Sequence, residues 1–164
     1  MEFRTCRRHW GAEFISDDVV RFRVWAEGQK DLTLRLTDTD IPMAAVGDGW
    51  FQVDVPGVRH GTPYQFVLQD GMAVPDPASR AQQADVNGPS VVIDPRHNLP
   101  AQREWQGRPW EETVIYEMHI GTFTGEGTFR AAIDKLPYLA ELGITQLEVM
   151  PVSQFGGARG WGYD

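Results

Sequence analysis

The chain has 164 residues, 41% of them hydrophobic and 23% charged, with 23 Asp and Glu against 15 Lys and Arg for a net charge of −8. That length accommodates one good core, or one small domain and part of another. The acidic balance and the lack of Lys or Arg clusters argue against a nucleic-acid surface, which depends on clustered cations, and are compatible with a neutral ligand. Cys6 is the only cysteine, so no internal disulfide can form and an oxidising compartment gains no support. The stretch MEFRTCRRHWG lacks the apolar core of a signal peptide, and no run approaches about 18 apolar residues, so a cytoplasmic protein with no membrane partner is expected.

In chain order, residues 19–26 alternate, with Val20, Phe22 and Val24 on one side and Arg21, Arg23 and Trp25 on the other. Residues 32–37 repeat the pattern, Leu32, Leu34 and Leu36 against Thr33, Arg35 and Thr37. After a Gly47-Asp48-Gly49 turn, Phe51, Val53 and Val55 face away from Gln52 and Asp54. Tyr64, Phe66 and Leu68 do the same against Gln65 and Gln69, before a turn at Asp70-Gly71. A further short strand is expected over Val91–Ile93, and no helix before residue 95. Period-two alternation punctuated by Gly and Pro predicts an antiparallel sandwich over residues 1–95. Residues 72–90, with three prolines, read as an ordered surface loop. Residues 95–113 form a connection that Trp105 and Trp110 are expected to pin by packing. Asp17-Asp18, Asp38–Asp40 and Glu111-Glu112 read as solvated loop charges.

Val114–Ile120 has the apolar, β-branched character of a strand buried on both faces. Thr128 is placed to cap a helix with an apolar stripe of Phe129, Ala132, Ile133, Leu136, Leu139 and Ala140. Pro137 inside that stripe would cost about 3 kcal/mol in a continuous helix. A break near Lys135–Leu136 is therefore expected, with Pro137 opening a second helix where its missing amide does no harm. Gly143 stops the helix, and Gln146–Met150 reads as a second strand ended by Pro151. Two parallel strands joined through a helix make one βαβ unit. Such a unit fits a doubly wound sheet, a barrel or a split α+β fold, and periodicity does not choose among them.

The motif wording does choose. YEMHIGTFT, EGTF, LPYLAELGIT, LEVMPV and RGWGYD, in that order, resemble the opening of the catalytic barrel in the α-amylase superfamily of glycoside hydrolases. Within it the wording, together with VPDPASR, NGPS and GRPWEE upstream, is most similar to the trehalohydrolases. The resemblance implies an immunoglobulin-like β-sandwich over 1–95, a linker over 96–113, and the first βαβ unit of a (β/α)8 TIM barrel over 114–164. It implies a whole enzyme that cuts the α-1,4 bond beside the terminal trehalose of maltooligosyltrehalose, with no cofactor and no metal. The family's catalytic carboxylates follow the fourth, fifth and seventh strands, whereas this sequence reaches the loop after the second. The expectation is that no catalytic residue lies in this chain and that it is inactive alone.

In such a barrel ligands sit at the C-terminal ends of the strands, which puts His119–Phe123 and Val152–Asp164 on the functional face. The second segment is glycine-rich at Gly156, Gly157, Gly160 and Gly162 around Phe155, Trp161 and Tyr163. A pyranose packs its C–H face on an aromatic ring while its hydroxyls take hydrogen bonds. By resemblance Tyr163 is the platform under the sugar whose bond is cut, with Asp164 and Trp161 as further substrate contacts. Gly160 stands where the family usually has a residue such as Asn. Glu117, His119 and Glu148 suggest an acid/base pair or metal site, but one His with two carboxylates is a weak ligand set, and polar pairing near the end of the barrel core is the expected role. Two other readings stay open. A branching or debranching relative shares the YE-x-H and WGY wording. A stand-alone sugar-binding or interdomain module would show Trp10, Trp25 and Trp50 as an exposed strip on one sheet face. Self-association through the unfinished barrel surface is a further expectation.

Overall fold

Alternating side chains build the first part of the molecule. The computed structural model describes residues 10–98, 107–153, 155–157 and 160, and the chain divides into two compact units, Met1–Pro100 and Ala101–Asp164. In the first unit β1 (Gly11–Phe14), β2 (Val19–Trp25), β5 (Ala44–Gly47) and β6 (Trp50–Pro56) form an antiparallel sheet in the order β1-β2-β6-β5. A second sheet runs β4 (Thr39–Pro42), β3 (Thr33–Leu36), β7 (Pro63–Val67). Along the free edge of β7 lie β8 (Ala73–Val74) and β9 (Ser90–Val91) in succession. Val20, Phe22, Val24 and Phe51 from the first sheet and Leu34, Tyr64 and Phe66 from the second share one buried core. The rings of Phe22 and Tyr64 meet across it at 4.9 Å, edge to face.

Two polar anchors hold the loops to that core. The Tyr64 hydroxyl donates to buried Asp76 at 2.7 Å, the other Asp76 oxygen accepts from Ala78 N at 2.8 Å, and Asp76 N donates to Ser90 Oγ at 2.9 Å. The 72–90 segment is thereby ordered, as its prolines suggested, but it is tied inward and contributes β8 and the start of β9 as well as surface. Arg96 closes the other end: it bonds both Asp94 oxygens, at 2.8–3.0 Å, and Asp17. The Arg96 guanidinium holds the Asp94 carboxyl below the usual range.

Several expectations need correction here. Strands β1, β4, β5 and β8 have no alternation long enough to announce them; pairing to a neighbour defines them. Asp40 sits in β4 and makes a bidentate pair with Arg35, both contacts 2.7 Å, because register sets the two residues opposite each other. Asp17, although exposed, is paired to Arg96. The expected strand at Val91–Ile93 is observed one residue earlier and shorter. Trp110 is 74% exposed and so does not pin the connection; Trp105 lies outside the described residues.

In the second unit β10 (Ile115–Met118) pairs in parallel with β11 (Gln146–Val149). Between them come α1 (Ile120–Phe123), α2 (Phe129–Asp134) and α3 (Leu136–Glu141). The Thr128 side chain accepts from Ala131 N at 3.2 Å, capping α2. The break falls at Lys135, with Pro137 in the first turn of α3. Gly143, at φ +92, ends α3, and the Ile144 amide returns to Leu139 O at 3.0 Å. Burial departs from the sequence reading. Met118 is buried in β10 but Ile115 is 42% exposed, and of the helical stripe only Ala132 and Leu139 are buried. A two-stranded sheet gives its apolar side chains too few neighbours. Among the described residues no helix is long and apolar enough to cross a membrane.

Candidate functional site

The C-terminal ends of β10 and β11 open onto a cavity of about 710 Å³. Its wall runs from His119 to Thr122 after β10, through Gly127 and Thr128, to Pro151, Val152, Phe155 and Gly160 after β11. Parallel pairing places both strand ends on one side, and the Met150 amide extends the ladder to Met118 O at 3.0 Å. Immediately beyond, the chain after β10 turns into α1, so HIGTFT is a helical turn and not an extended loop.

His119 is fixed on both ring nitrogens. Nε2 lies 3.2 Å from the Gly160 carbonyl. A carbonyl only accepts, so Nε2 carries the proton and donates. Nδ1 lies 3.4 Å from Thr122 Oγ1. The imidazole thus ties the two strand-end segments together, a positioning contact.

Glycines bring the walls close. A Cβ on Gly121 would stand 2.9 Å from His119 Cε1, and one on Gly127 would stand 2.8 Å from the Gly121 carbonyl oxygen. Gly127 also holds φ +62, so it is glycine for two independent reasons. Its amide donates to Thr124 at Oγ1 (3.1 Å) and O (3.2 Å). This Thr124–Thr128 turn was missed as part of the site. The signal was present in the Gly125-Glu126-Gly127 punctuation, but which wall the turn would join depends on the Gly121 contact.

Glu117 and Glu148 are register partners, and both are exposed. The contacts described for His119 go to Gly160 and Thr122. Among the described residues no group of three His, Cys, Asp or Glu could hold a metal. Trp161, Gly162, Tyr163 and Asp164, the expected substrate contacts and their neighbour, lie outside the described residues. The segment that leads to them, Phe155–Gly157 and Gly160, borders the cavity at Phe155 and Gly160.

No family model matches the chain. Curated relatives do. The malto-oligosyltrehalose trehalohydrolase of Saccharolobus solfataricus is 42% identical over 151 residues, covering 92% of this chain and 27% of that protein. That of Deinococcus radiodurans is 43% identical over 144 residues, covering 88% and 24%. The chain is a homologue of these trehalohydrolases. It spans about a quarter of the length of the curated relatives it matches. A crystal structure from Salmonella typhimurium, named provisionally as an alpha amylase, is 65% identical with TM-score 0.92 and covers 97% of this chain and 27% of its own. An Anoxybacillus pullulanase complexed with maltotetraose has TM-score 0.72 at 23% identity, covering 91% and 26%, which speaks for the fold alone. The relatives are glycoside hydrolases of the α-amylase family, and the chain corresponds to an N-terminal part of them.

Proposed function

We propose that this chain is the N-terminal part of an enzyme that hydrolyses the α-1,4-glucosidic bond next to the terminal trehalose of maltooligosyltrehalose, releasing trehalose. The observation that carries the reading is the identity to trehalohydrolases along nearly the whole chain. In this reading the first unit is an immunoglobulin-like sandwich over residues 1–95, 96–113 is a linker, and 114–164 opens a (β/α)8 barrel. A cytoplasmic setting belongs to the same reading and is supported by the single cysteine.

The chemistry is that of a retaining glycosidase: a carboxylate nucleophile and a carboxylic acid/base about 5–5.5 Å apart on either side of one bond. Both come from later barrel strands, so no residue here is catalytic. This chain contributes a wall of the cleft. His119 and the glycines fix the first two strand-end segments, and Tyr163 supplies an aromatic platform with Asp164 and Trp161 beside it. Fixed walls matter because misplacement of a sugar by an ångström lowers the rate of attack steeply.

The test is trehalose release from maltooligosyltrehalose by the full-length protein, beside residues 1–164 alone. The full-length protein is expected to release trehalose and the shorter chain none. In the full-length protein Tyr163→Ala should lose about 1–3 kcal/mol of transition-state binding, read as kcat/KM, with an unchanged thermal midpoint. Unchanged kinetics would remove Tyr163 from the site.

A further inference from the structure

The tip of the 72–90 segment holds a reactive pair that neither the core nor the strand-end cavity uses. Around it the chain folds back on itself: Gln82 bridges Ser90, Gln83 N donates to Pro89 O at 2.9 Å, and Gln82 Nε2 donates to Val86 O at 2.7 Å. Inside these pairs Asp85 draws the chain into a tight turn. Its Oδ1 accepts from Asn87 N at 2.9 Å, and its carbonyl accepts from Gly88 N at 3.0 Å. Asn87 itself is exposed. The NGPS stretch thus presents an Asn-Gly pair to solvent at the closed end of a small ladder.

Gly88 is glycine for a structural reason that has a chemical side effect. A Cβ there would stand 3.3 Å from Asp85 O and 3.4 Å from the amide nitrogens of Ala84 and Asp85, so a larger residue would press on the turn. The same bare Cα leaves nothing to hinder attack by the Gly88 nitrogen on the Asn87 side chain, a route by which asparagine is thermolabile. Of the two asparagines in the chain, Asn98 precedes the branched Leu99, and Asn87 alone precedes glycine. The attack needs the Gly88 amide free, because its nitrogen has to give its proton to solvent and turn toward Asn87 Cγ. In the turn that N–H is held by Asp85 O.

We infer that Asn87 is a deamidation site whose rate the Asp85 turn sets: the closed turn holds the reaction back, and local opening releases it. The deprotonated Gly88 nitrogen forms a bond to Asn87 Cγ, the Cγ–Nδ2 bond breaks, and Nδ2 leaves as ammonia with a proton taken from water. Water then opens the cyclic imide, at Cγ to give aspartate or at the main-chain carbonyl to give isoaspartate. Water enters and ammonia leaves, with no change of oxidation state. The product places a second carboxylate beside Asp85, and the isoaspartate form lengthens the backbone of the tip.

The full-length protein is incubated at mildly alkaline pH and digested with trypsin, and the peptide Ala81–Arg96 is followed by mass spectrometry and by labelling with an isoaspartyl methyltransferase. A synthetic Ala81–Arg96 peptide is incubated beside it, and sampling runs over many half-times of that peptide. Asn87 is expected to convert in the folded protein, with isoaspartate among the products, about tenfold more slowly than in the free peptide. Asn98 should keep its amide, and Asn87→Gln should remove the label. Asp85→Ala, which frees Asn87 N, should speed conversion several-fold, with the thermal midpoint checking that the variant is folded. Asn87 still an amide at the end of sampling overturns the site. Conversion as fast as in the peptide, or a folded Asp85→Ala variant converting at the parent rate, overturns the gating by the turn; should Asp85→Ala fail to fold, the comparison with the peptide decides.

Discussion

Asp76 is a single carboxyl that holds a loop to the core from a buried position. Burial raises its pKa above the ordinary value, while the Tyr64 hydroxyl and the Ala78 amide pull it the other way without prevailing. The same surroundings raise the Tyr64 hydroxyl far above its usual range, so it stays a donor. Because the folded state holds the Asp76 proton more tightly than the unfolded state, its contribution favours folding most below the ordinary carboxyl pKa of about 4. That contribution is lost as pH rises from there through the folded value. Asp94 behaves oppositely: Arg96 lowers its pKa, so its contribution is present above the ordinary value and lost as pH falls through the folded one. Thermal midpoints taken across the acid range should show Asp76→Asn removing the decline on raising pH, and Asp94→Asn removing part of the decline on lowering it. An Asp76→Asn profile parallel to the parent would show that its burial does not govern the proton.

At the scale of elements the two units rest on different things. Strands β2, β3, β6 and β7 are held by a core in which Phe22 and Leu34 are fully buried. Phe22→Ala should cost about 3–5 kcal/mol, because it removes a ring and leaves a cavity between the sheets; denaturant titration measures it. The helices α2 and α3 depend more on their ends. Thr128→Ala should cost about 1 kcal/mol through the lost cap. Gly127→Ala should cost more, since φ +62 and a Cβ 2.8 Å from the Gly121 carbonyl both oppose it. The order of these two, read from thermal midpoints, is the test: a Gly127→Ala variant as stable as the parent would mean that the turn is not held against Gly121.

For the whole molecule the contrast between units sets the dynamics. The first unit shares one core between two sheets, whereas in the second Phe129, Ile133 and Leu142 are more than half exposed, as are Val152 and Tyr138. Amide exchange is expected to be weaker after residue 113 than in the strands before residue 95, or the chain to self-associate through this surface in sedimentation. Uniform protection in a monomer would contradict both. The sequence by itself determined the long alternating strands, the helix break before Pro137, the stop at Gly143 and the family wording, because each is written in residues close along the chain. Short strands such as β1, β4, β5 and β8 exist only through hydrogen bonds to distant neighbours, so local periodicity could not announce them. Apolar spacing likewise located the helical stripe but not its burial, which depends on how many partners arrive from elsewhere. Tertiary structure alone decided that the Gly127 turn closes on Gly121, that His119 reaches Gly160, and that Trp10, just before β1, comes to rest against Trp50. Contacts between residues tens of positions apart form where packing brings two surfaces together, and no short stretch of sequence contains both surfaces.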